Sequence, residues 1–91
     1  MNSIQMLKQL ILDCWNNGQY DRMPTGKTWI TVNPMNDGIA DCLNVVEAKE
    51  SDPTGYPCNP IQFITLLYEP DITFDETLEE ICQYIYEEAT K

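Results

Sequence analysis

The stretch IQFITLLYE, residues 61–69, constrains this chain most: it is apolar, rich in β-branched and aromatic residues, and ended by Pro70. That composition reads as a strand. It is too apolar to leave one face in water along its whole length, so we expect it at the centre of a sheet or covered on both sides. TWITVN, residues 28–33, reads as another strand, closed by the turn residues of PMNDG. Residues 39–48 carry two patterns. Ile39, Cys42, Leu43 and Val46 fit helical spacing, while the β-branched run after a turn favours a strand, which we place over 42–48.

Amphipathic helices flank these strands. Over residues 3–17, Ile4, Leu7, Leu10, Ile11, Cys14 and Trp15 share one apolar sector, with Gln5, Gln9 and Asp13 opposite. Asn2 or Ser3 suits the N-cap, and Asn17–Gly18 supplies the left-handed residue past the end. The second helix begins where Thr73 and Glu76 have capping-box spacing. Leu78, Ile81, Cys82, Ile85 and Ala89 form its apolar face; Glu76, Glu79, Glu80, Gln83 and Glu87 form the opposite one, with Tyr84 and Tyr86 on the borders. The order is α-β-β-β-α. We therefore expect a single α+β domain over 1–91, a three-stranded antiparallel sheet packed by the N- and C-terminal helices. Residues 19–27 and the proline-rich 50–60 read as connections.

Charge is unevenly spread on a chain of net −10. Residues 1–68 hold seven acids and four bases, whereas 69–91 hold eight acids against Lys91 alone. Such a surface repels nucleic acid and anionic membrane and attracts basic partners. The opening acids of the last helix complement its dipole, but Glu87 and Glu88 stand at the unfavourable end. Solvated helices ordinarily mix signs, and Glu76–Glu80 at i, i+4 repels. A helix over 73–91 is about 28 Å long, giving roughly one net charge per 5–6 Å against about 1.7 Å for duplex DNA. That is too dilute to copy a duplex, yet enough to occupy part of a groove that holds a phosphate backbone.

Several chemistries lack their residues. There is no histidine to serve as base or metal ligand. Cys14, Cys42, Cys58 and Cys82 lack paired zinc-knuckle spacing and read as reduced structural thiols. PTGKT, residues 24–28, has aspartate where a P-loop needs its first glycine and precedes a strand rather than a helix. NPMNDGIADCLN places methionine and asparagine where a calcium loop needs oxygen ligands at positions 3 and 12. No cofactor or metal is expected. The N-terminus lacks the pattern of a signal peptide and no stretch is a membrane span, so we expect a cytoplasmic location, the host cytoplasm for a viral chain.

The residues lead to a non-enzymatic inhibitor that binds a basic protein surface, most concretely that of a nucleic-acid-binding enzyme such as a phage-defence nuclease complex, in the manner of anti-CRISPR proteins. Glu76, Glu79, Glu80, Glu87, Tyr84 and Tyr86 are the expected contacts, with Asp52 and Tyr56 as secondary ones. The alternatives are an oligomeric binder of a small molecule or nucleotide signal, and a structural subunit of a larger assembly. Whether the acidic helix is free or packed in a homodimer stays open.

Overall fold

The computed structural model describes residues 2–26, 29–48 and 61–91. Helix α1 spans Ser3–Asn17. Asn2 caps it: Oδ1 accepts the Gln5 backbone N–H at 2.9 Å, and Gln5 Oε1 accepts the Asn2 N–H at 3.2 Å. Two amides that the first turn leaves without partners are thereby satisfied. Gly18 ends the helix at φ 68°, a conformation that any side chain would strain, and donates its N–H to the Cys14 carbonyl.

Among the described residues the sheet has four strands rather than the three expected. They are β1 (Asp21–Pro24), β2 (Trp29–Asn36), β3 (Asp41–Ala48) and β4 (Ile61–Tyr68), antiparallel neighbours in chain order. β1 lies in the expected connection: DRMP is short and polar, and it becomes a strand by pairing, with Arg22 opposite Thr31 and Met23 opposite Ile30. The strand reading of 42–48 holds, one residue longer at its start. β2 runs on through Pro34, expected in the turn. β1 pairs only as far as Val32, so Pro34 stands where β2 has no neighbour on that side, a place where a strand tolerates proline.

β4 is not central. Among the described residues it pairs with β3 alone and ends the strand order, with Ile64 57% and Leu66 42% exposed. At these two positions the run is apolar without being covered.

Pro70 does not simply stop that strand. It stands in the first turn of a short helix, α2 (Glu69–Thr73), where its missing N–H and fixed φ fit. Helix α3 follows over Asp75–Ala89, capped by Phe74 without a side-chain bond. The Thr73–Glu76 capping box is absent because the Thr73 hydroxyl turns back and donates to the Glu69 carbonyl at 3.0 Å, closing α2 instead. The element order is thus α-β-β-β-β-α-α.

Both long helices pack on one face of the sheet. Register places Ile30 and Val32 of β2 beside Glu47 and Val45 of β3, and Leu43 of β3 beside Leu67 of β4. Against these lie Leu7, Ile11 and Cys14 from α1, Ile72 from α2, and Leu78, Cys82, Ile85 and Ala89 from α3. Each large aliphatic chain so buried stabilises the fold by about 1.5–3 kcal/mol. Glu47 is 1% exposed within this otherwise apolar layer.

Candidate protein-binding surface

The polar side of α3 emerges as a consequence of that packing. With Leu78, Cys82 and Ile85 directed into the core, Glu76, Glu79, Glu80, Gln83 and Glu87 are left exposed along the helix. Tyr84 borders them at 53% exposure. Tyr86, on the other border, is half-buried and packs against the core cluster. The 100° step of a helix puts both tyrosines at a margin, but one margin is covered and the other open. Asp52 and Tyr56 lie outside the described residues.

Among the described residues, two lysines form ion pairs with acids of α3. Lys8 of α1 forms an ion pair with Asp75 in the first turn of α3. The hydrogen bond that Lys8 donates to Asp75 raises the Lys8 pKa, and the negative charges of Asp75 and Glu79 add to the effect. Lys91 reaches Glu88 at 2.8 Å. Both lysines therefore serve carboxylates at the ends of the helix. Among the described residues no ion pair forms at Glu76, Glu79, Glu80 or Glu87; Glu87 Oε1 accepts a 3.2 Å bond from Gln83. Glu69, exposed at the start of α2, adds a carboxylate on an element that packs against α3.

A second feature was not legible beforehand. Trp15, at the end of α1, lines a groove of about 430 Å³ with Asp41, Tyr68, Glu69 and Pro70, and a neighbouring one of about 350 Å³ with Pro34, Met35 and Asp41. An indole beside two carboxylates suits a cationic side chain, through the ring face and charge-assisted hydrogen bonds. Helical periodicity places Trp15 in the apolar sector of α1 without showing this open side. It is half-buried, packed against the core on one side and open to these grooves on the other.

The sheet face opposite the helices is largely uncharged. It carries Thr31, Asn33 and Met35 of β2, Asn44 and Val46 of β3, and Ile64 and Leu66 of β4. Met35, Ile64 and Leu66 are exposed. At one margin the Arg22 guanidinium lies 5.4 Å from the centroid of the Trp29 ring.

Cys14, Cys42 and Cys82 are free and buried. Burial pushes Cys14 up to about 11 and Cys82 up to about 12. Among the described residues no three acidic, cysteine or histidine side chains gather as a metal site would require, and no helix is long and apolar enough to cross a membrane.

Compared with protein-family models, curated proteins and solved structures, the chain matches none. Its function is therefore argued from its own surface.

Proposed function

We propose that this protein is a non-enzymatic inhibitor whose α3 surface occupies a basic, nucleic-acid-binding surface of a partner enzyme. The observation that carries the reading is the unshared charge of α3. Glu76, Glu79, Glu80 and Glu87 are exposed together, and among the described residues the lysines that pair with α3, Lys8 and Lys91, are spent on Asp75 and Glu88. A helix that repels itself along one face loses a few tenths of a kcal/mol per like-charged pair. A basic partner turns that repulsion into attraction and gains association rate by long-range steering. Tyr84 supplies an aromatic anchor beside the acids. The groove of Trp15, Asp41 and Glu69 gives an arginine or lysine of the same partner a second place to dock.

The spacing of charge limits what is copied. The stripe matches part of a groove that holds a phosphate backbone rather than a whole duplex. An enzyme of a phage-defence nuclease complex is the most concrete partner, and the inhibitor acts by occupancy, without chemistry of its own.

Affinity capture from a nuclease-treated lysate tests this. The native protein is expected to retain a basic nucleic-acid-binding enzyme that high salt releases. Retention of no such protein, or of one that salt does not release, would contradict the reading.

A further inference from the structure

We propose that β4 is a self-association edge: two copies of this chain join through antiparallel β4–β4 pairing about a two-fold axis, making one continuous sheet. The inference starts from a contrast between the two edges of the same sheet. β1 has four residues and carries Asp21, Arg22 and Pro24, the short length, charge and proline that keep an edge from pairing with foreign strands. β4 has eight residues, IQFITLLY, with no charge and no proline. Beyond its ladder with β3, the described residues supply β4 with one further backbone bond, from the Tyr68 N–H to Asp71 Oδ2 at 3.2 Å. An exposed row of backbone donors and acceptors accepts an extended strand and little else.

The chemistry of the strand selects a second copy as the occupant. A basic partner finds no carboxylate along residues 61–68 to pair with. Two copies, each of net −10, repel wherever their acidic surfaces approach, and an uncharged edge is where that repulsion is least. The strand is also its own complement. A two-fold axis at Thr65 sets Ile64 of one copy opposite Leu66 of the other and places Glu69 opposite position 61, so no acid faces an acid within the pair. Ile64 and Leu66 are themselves exposed on the sheet face away from the helices, so pairing gathers four exposed aliphatic side chains into one cluster across the axis. The contact is smaller than the roughly 800 Å² per partner of a standard interface, which makes the dimer a weak, concentration-dependent one. Both α3 surfaces lie across the sheet from this cluster, on the helix face.

Sedimentation equilibrium from micromolar to near-millimolar protein, at low and high salt, tests the proposal. Native protein is expected to rise from 10.5 kDa toward twice that mass, and to do so more readily at high salt, which screens the repulsion between copies. A variant with Ile64→Glu and Leu66→Glu is expected to stay monomeric with an unchanged helical circular-dichroism spectrum. Should that variant lose its fold, Ile64→Lys alone serves, since position 64 is already exposed. Native protein that remains at 10.5 kDa throughout, or a folded variant that associates as tightly as native, overturns the proposal. Basic-partner binding weakens with salt while self-association strengthens, so the failure of one reading is distinguishable from the failure of the other.

Discussion

Tyr68 donates its phenolic hydrogen to Oδ2 of Asp37 at 2.5 Å, tying the end of β4 to the β2–β3 turn across 31 residues of chain. The same carboxylate builds the turn, for Asp37 Oδ1 accepts the N–H groups of Ile39 at 2.9 Å and Ala40 at 3.0 Å. Gly38, between Asp37 and Ile39, has φ 96°, which only glycine adopts without strain. Asn36 Oδ1 receives the Gly38 N–H at 2.8 Å. One aspartate thus shapes a hairpin and fixes it to the edge strand.

That arrangement makes stability depend on pH. The Tyr68 hydroxyl, then the Ala40 and Ile39 amides, hold the Asp37 carboxyl below its ordinary value. A depressed carboxyl contributes stability above the unfolded carboxylate range and loses it as pH falls through the folded value. Donating this bond to Asp37 raises Tyr68 above the ordinary 10.0, so its contribution is complete below that value and is lost as pH rises through the folded one. Tyr68→Phe is expected to lower Tm at neutral pH, with the gap from native closing in acid. A Tm difference that stays constant across the acid range would show that the bond carries no linked charge.

Leu66 and Leu67 are adjacent and point to opposite faces of β4, one 42% exposed and the other 1%. Leu67→Ala removes side-chain volume from the layer beneath the helices and is expected to cost about 2–5 kcal/mol. Leu66→Ala, measured in dilute protein, is expected to change stability by less than about 0.5 kcal/mol. Urea denaturation of the two variants distinguishes this register from one shifted by a residue, which would exchange the two effects.

Cys14 and Cys82 are expected to resist alkylation. Burial keeps both as thiols, up to about 11 and about 12, and closes access to reagent. Iodoacetamide near pH 8, followed by peptide mass spectrometry, should label both at least about tenfold more slowly in native than in urea-unfolded protein. Equal rates would place these side chains outside the core.

Much of the fold is legible because it rests on local chemistry. The cap at Asn2, the glycine at 18, the apolar stripes of both long helices and strands β2, β3 and β4 are each written in a few neighbouring residues. What is not legible depends on partners far along the chain. DRMP extends because Trp29–Val32 offers it a ladder. Pro70 reads as a stop to a strand and equally as the opening turn of a helix, and only the path into α3 decides. Apolarity marked β4 as a strand but did not say on which side a neighbour would lie. The outward row of Glu76, Glu79, Glu80 and Glu87 was readable from helical periodicity, whereas the separation of Tyr84 from Tyr86 needed the core to be in place.

The most direct test of the acidic surface is the salt dependence of affinity for the captured enzyme, measured for native protein and for a variant with Glu76, Glu79, Glu80 and Glu87 each changed to Gln. Each exposed carboxylate lost is expected to remove about 0.2–1 kcal/mol of charge pairing, for a combined loss of about fourfold or more in affinity at low salt, with a flatter dependence on salt and an unchanged Tm. If the variant binds as tightly as native and with the same salt slope, α3 is not the surface that meets the partner.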